Sequence, residues 1–137
     1  MIRVIKCAKH TAVTARAATM FSLRHLIVTA PADLREQLEP LTKMALLRRC
    51  AALRPGEVND PAVATKYALR AMALGWLHLR EEIAEYKAHQ DRLTTAIAPQ
   101  LREGCGIGPD AAAELLTVIG DNFARVTSEA ALALAVC

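Results

Sequence analysis

The residues best suited to chemistry are basic ones, and their distribution is uneven. Residues 1–56 hold ten Lys/Arg against three Asp/Glu, a balance of +7, whereas residues 57–137 hold seven against eleven, a balance of −4. Met1 to Pro31 carries five basic side chains and no acidic one. Such asymmetry points to a polyanion partner for the N-terminal part, with a solvated basic helix face as the alternative. Arg3, Lys6, Lys9, Arg16 and Arg24 would meet phosphates first, followed by Arg48, Arg49, Arg54, Lys66 and Arg70. Catalytic signatures are missing: no Ser/His/Asp set, P-loop or H-E-x-x-H pattern is present. His10, His25, His78 and His89 are scattered, with no i, i+4 pair to ligate a metal. Glu81, Glu82 and Glu85, with Lys87 and Arg92, read as flanking charges of a helix. Cys7, Cys50, Cys105 and Cys137 form no C-x-x-C pair, so the expectation is reduced structural thiols and no bound metal.

A second chemistry-bearing run is Leu101-Arg102-Glu103-Gly104-Cys105-Gly106-Ile107-Gly108-Pro109-Asp110, which opens into Ala111-Ala112-Ala113-Glu114-Leu115-Leu116. Glycines let the backbone turn tightly, and N–H groups at a helix N-terminus attract phosphate oxygens. A hydrophobic turn, Gly-h-Gly, an alanine and a Leu pair make a helix-hairpin-helix pattern, in which Gly106, Ile107 and Gly108 would offer their amides. Contacts of that kind grip the sugar–phosphate backbone and carry little sequence information. A plain structural turn between two helices would use the same residues.

These residues must be positioned by helices. The chain is 53% hydrophobic but only 4% aromatic, and 27 of its 137 residues are alanine, which predicts an all-α fold of long helices. Residues 2–28 lack Gly and Pro and read as one long helix, with Val13, Ala17, Met20, Leu23 and Ile27 on its apolar stripe and Lys9, Arg16 and Arg24 off it. Thr29-Ala30-Pro31 ends it, and Pro31 with Asp33 and Glu36 opens a short helix that Pro40 closes. Leu41–Leu53 forms a third helix around Met44, Leu47 and Leu53, with Leu46 and Cys50 beside them, before Arg54-Pro55-Gly56 breaks the chain. Asp60-Pro61 is a strong start for the next, interrupted before Pro99 only by Gly75. Along it Leu69, Met72, Trp76, Leu79, Ile83, Tyr86, Gln90, Leu93 and Ile97 are spaced 3-4-3-4-3-4-3-4, an a/d heptad seam. The seam needs a partner helix, either in a second copy, with Gln90 setting register, or in this chain. A second copy is the favoured expectation, giving a homo-oligomer. Gly120 stops the helix after the hairpin, and Asp121-Asn122 lead to a final alanine-rich one.

The residues also resemble a known family. Gly106-Ile107-Gly108-Pro109-Asp110-Ala111-Ala112, Leu115-Leu116, Gly120-Asp121-Asn122, Arg125 and Ser128-Glu129-Ala130-Ala131 look like the start of the C-terminal domain of one insertion-sequence transposase family. In that family a RuvC-like, four-acidic-residue N-terminal domain precedes this region, a bridge RNA guides the enzyme, and kinship to DNA invertases is recognised. Leu26-Ile27-Val28-Thr29-Ala30-Pro31, Leu34-Arg35, the run from Leu47 to Gly56, Asp60-Pro61 and Ala64-Thr65-Lys66-Tyr67-Ala68-Leu69-Arg70 are similar to its middle region. The segments fall in the family's order across nearly the whole chain, departing where the family has a glycine near Cys137.

The resemblance implies basic connecting helices over 1–59, a coiled-coil helix over 60–99 and the start of a helix-hairpin-helix-like transposase domain over 100–137. It also implies DNA and structured RNA as partners. The family's metal-holding acids lie upstream of this region and its Ser-Ser-Gly nucleophile downstream, so no catalytic residue carries over, and Ser128 is not that nucleophile. The chain is thus expected to be a truncated transposase fragment for transposition and recombination, with no cofactor of its own, Mg2+ belonging to the full-length family. The alternatives are a helical oligomerisation module or a decayed fragment without a nucleic-acid role. No uncharged apolar run approaches eighteen residues, so no transmembrane helix is expected. Nor is there a signal-peptide stretch before Lys9, and a cytoplasmic location follows.

Overall fold

The computed structural model describes residues 1–99 and 108–119, and among them it is all-α. Five helices follow one another: α1 (Ile2–Val28), α2 (Ala32–Leu38), α3 (Lys43–Ala51), α4 (Pro61–Ile97) and, numbered here in chain order, α5 (Pro109–Ile119). The breakers act where the residue types require. After α1 the Ala30 amide bonds the Ile27 carbonyl (3.1 Å), and Pro31 precedes α2 at φ −52°, ψ 145°. Thr42 is extended at φ −64°, ψ 162°, so α3 begins two residues later than expected and is the shorter for it. Asp60 caps α4: its Oδ1 accepts the amides of Ala62 (2.8 Å) and Val63 (3.0 Å), satisfying two of the four donors a helix start leaves open.

The chain divides into two compact units, and the division crosses the expected segments 1–59, 60–99 and 100–137. Thr11–Ile83 makes one unit; Met1–His10 joins the part of the chain from Ala84 onward in the other. Both α1 and α4 therefore contribute residues to each unit. The core of the Thr11–Ile83 unit gathers Leu23 and Ile27 of α1, Leu34 and Leu38 of α2, Leu46, Leu47 and Cys50 of α3, and Leu69, Ala73 and Trp76 of α4. The other unit has a smaller core of Ile2, Ala98, Ala113 and Leu116, flanked by Leu93 and Leu115.

The C-terminal part of the expected α1 stripe is interior, with Leu23 and Ile27 buried and Met20 packed on the core, but its N-terminal part is not. Val13 and Ala17 are exposed, whereas Ile2 and Ala12 are buried and Lys9 and Arg16 are half-buried. Small residues such as Ala17 contribute too little apolar area to choose a helix face. A long basic side chain can bury its stem on the inner face while its charge reaches out, which is where Lys9 and Arg16 sit.

Much of the heptad seam of α4 is spent within the chain. Leu69, Trp76, Ile83 and Gln90 are buried and Met72 and Leu93 pack on the two cores, so these seam members pack within the chain, while Leu79 and Tyr86 are half-buried. Ile97, its last member, is 45% exposed. A straight α-helix drifts about 20° per heptad from a strict seven-residue repeat. Over this length Thr94 and Ala98 take the buried places beside Leu93 and Ile97.

Core and surface positions should respond differently to mutation. Leu47→Ala removes a fully enclosed side chain and is expected to lower stability by about 2–5 kcal/mol in thermal or urea unfolding. A Cβ at Gly75, inside α4, would meet no atom within 4 Å, so Gly75→Ala should raise stability by up to about 1 kcal/mol. A neutral Leu47→Ala would contradict the core as described.

Candidate nucleic-acid interface

The expected phosphate contacts separate into residues already engaged and residues that are not. In the unit formed by Met1–His10 and the chain after Ala84, Lys6 is ion-paired with Glu114 and Lys9 with Asp110 of α5. Lys9 also donates to Oε1 of Gln90 (3.1 Å), which is buried to 1% exposure on α4. Leu and Ile would be cheaper at such a position, since a buried amide without a partner costs free energy. The Lys9 ammonium satisfies the Gln90 carbonyl oxygen and carries its charge out to Asp110. Beside them Thr94, fully buried, donates back to the carbonyls of Gln90 (2.8 Å) and Asp91 (3.0 Å) of its own helix. Gln90 thus serves an intrachain polar contact, where a register-setting role in a dimer was expected.

The expected hairpin turn is described from Gly108 onward; Gly106 and Ile107 lie outside the described residues, as does the segment after Ile119 where a final helix was expected. Gly108 accepts the Ala112 amide at 3.0 Å and so begins α5. Asp110 occupies the first turn, where a carboxylate complements the helix dipole. A phosphate approaching this helix start would meet that carboxylate as well as the amides. Lys6 and Lys9, expected at phosphates, are here committed to the acids of the same helix.

In the Thr11–Ile83 unit, Arg16 of α1 stands over the Trp76 ring with Cζ 5.5 Å from its centroid, and Lys43 of α3 places Nζ 5.0 Å from the same centroid. Both lie within the range of cation–π attraction. Arg80, one turn beyond Trp76 on α4, reaches Sδ of Met44 at 4.0 Å. Lys43, Arg80 and the Trp76 pairing were not foreseen. They join residues 33 and 60 positions apart in the chain, and no local periodicity signals such a meeting.

The remaining expected contacts are on the surface. Arg3, Arg24, Arg48, Arg49, Arg54 and Arg70 are exposed, and Lys66 is half-buried. Arg48 and Arg49 sit in the last turn of α3, where positive charge complements the helix dipole. The ion pairs among the described residues are Lys6–Glu114, Lys9–Asp110 and Arg35–Glu39, so these surface arginines face no described carboxylate partner. Among the described residues no group of three or more His, Cys, Asp and Glu is placed to hold a metal ion. No described helix is long and apolar enough to cross a membrane.

Cys50 is fully buried in the core, and burial raises its thiol from 9.0 to about 11 because the thiolate cannot be solvated there. An unfolded thiol ionises near 9.0 and the folded one only near 11, so the stabilisation from keeping Cys50 neutral holds below pH 9. It is lost as pH rises from 9 towards 11, by on the order of 2 kcal/mol. Unfolding midpoints of wild type and Cys50→Ala, measured from pH 8 to 11, should show a steeper alkaline decline in the wild type; parallel curves would contradict it. Lys9→Ala leaves the Gln90 oxygen without its donor and should cost about 1–3 kcal/mol in the same assay, whereas Lys6→Ala, at a more exposed pair, should cost about 0–1 kcal/mol.

No family model, no curated protein and no solved structure matches the chain.

Proposed function

We propose that this chain is a nucleic-acid-binding helical segment of an insertion-sequence transposase of the bridge-RNA-guided kind, without a complete active site of its own. The observation that carries the proposal is the set of exposed arginines without described carboxylate partners, Arg48 and Arg49 at the end of α3 and Arg54 just beyond it. They lie in the half of the chain whose balance is +7. Unneutralised guanidinium groups on a surface are suited to phosphodiester oxygens, which they bind as paired donors. The order of the resembling segments, from Leu26 through Ala131, supports the family part of the proposal. Duplex DNA and structured RNA are the partners it names, and a cytoplasmic setting belongs with them. Leu69, Trp76, Ile83 and Gln90 of the seam are buried within the chain, so a homo-oligomer through α4 would use the seam's more exposed positions.

Binding of this kind is electrostatic. Affinity for a 20-base-pair duplex, followed by fluorescence anisotropy from 50 to 300 mM salt, should fall linearly on a log–log scale, with a slope of about 0.9 for each phosphate contacted. Replacing Arg48, Arg49 and Arg54 together by Gln should flatten that slope by roughly 2 to 3. Affinity independent of salt, or a slope unaltered in the triple variant, would overturn the proposal.

A further inference from the structure

The cations around Trp76 form a second positive centre. Arg16, Lys43 and Arg80 come from α1, α3 and α4, three helices of one compact unit. Trp76 is only 4% exposed and belongs to the core, so it is a fixed platform. Arg16 and Lys43 are both drawn to its ring, which places their charges at most about 11 Å apart. Arg80 is joined to the same place through Met44, the residue after Lys43. None of the three is in any of the ion pairs among the described residues.

A quadrupolar ring holds a cation without neutralising it. Two positive charges held on one ring, with a third joined beside them through Met44, repel one another, and an anion relieves that repulsion. We propose that Arg16, Lys43 and Arg80 together bind consecutive phosphates of a nucleic-acid backbone, with Trp76 as the support that gathers Arg16 and Lys43 and Met44 as the contact that joins Arg80 to them. The ligand class rests on the proposed function above, whereas the site itself rests on this geometry. Guanidinium and ammonium groups donate to the phosphodiester oxygens, and no base is read, so recognition is of charge and backbone spacing.

Trp76 is the chain's single tryptophan, which makes the site self-reporting. The full chain would be titrated with a 20-base-pair duplex and, separately, with inorganic tripolyphosphate, following Trp76 emission alongside anisotropy of the labelled duplex. Lys43→Gln and Arg80→Gln, both at exposed positions, would be compared with wild type, and circular dichroism melting would verify their fold. Arg16→Lys keeps a charge at the half-buried position and serves where Arg16→Gln unfolds. The expected result is a saturable change in Trp76 emission that parallels duplex binding. The salt slope should then fall by about 0.9 for each cation removed. Duplex binding with unchanged Trp76 emission and an unaltered slope in Lys43→Gln and Arg80→Gln overturns this site while leaving the surface-arginine reading intact. A Trp76 response to tripolyphosphate but not to duplex upholds an anion site and overturns nucleic acid as its ligand. No response to either probe overturns the site outright.

Discussion

Every described feature of this chain depends on how one long helix is covered. α4 runs from Pro61 to Ile97, and a helix of that length with an apolar stripe is unstable until the stripe is removed from water. Its N-terminal half enters the larger core through Leu69, Ala73 and Trp76, and its C-terminal half packs on the smaller one through Leu93, with Ala98 just beyond the helix end in that core. Because the stripe is met by helices of the same chain, basic residues of α1 and α3 are brought against α4 within each unit.

Two kinds of basic residue result, and they differ in what they leave for a ligand. Lys6 and Lys9 have carboxylate partners on α5, and Lys9 also supports the buried Gln90. Their charge is balanced locally, and removing them affects the fold first. Arg16, Lys43 and Arg80 are held by a ring and a thioether, which attract cations without cancelling them. Arg48 and Arg49 at the end of α3, and Arg54 beyond it, are exposed and have no carboxylate partner among the described residues. The net charge of the N-terminal half is thus a poor guide to where a polyanion would sit. Which charges are already balanced is the better one.

The heptad seam shows that a one-dimensional pattern can locate a helix while leaving open what packs along it. The 3-4 spacing from Leu69 to Ile97 is present, and α4 spans all of it. Four heptads are long enough for the difference between 3.5 and 3.6 residues per turn to accumulate. Leu93 is half-buried and Ile97 lies at the surface, although both belong to the spacing. Thr94 and Ala98 are buried in their stead. The α1 stripe carries the same lesson at a finer scale, because Val13 and Ala17 turned outward and Lys9 and Arg16 inward.

By itself the sequence determined the helical class, the breaks at Pro31, Pro40 and Pro55-Gly56, the cap at Asp60 and the start of a helix just after Gly108. Those are local matters, decided by backbone freedom, capping hydrogen bonds and intrinsic propensity within a few residues. Only the tertiary structure decided which face of α1 and α4 is interior, which partner covers the seam and which basic residues already have counter-charges. Lys9 meets Gln90 across 81 positions and Arg16 meets Trp76 across 60. Contacts at such separations follow from how whole helices pack, where summed apolar area outweighs any single charge.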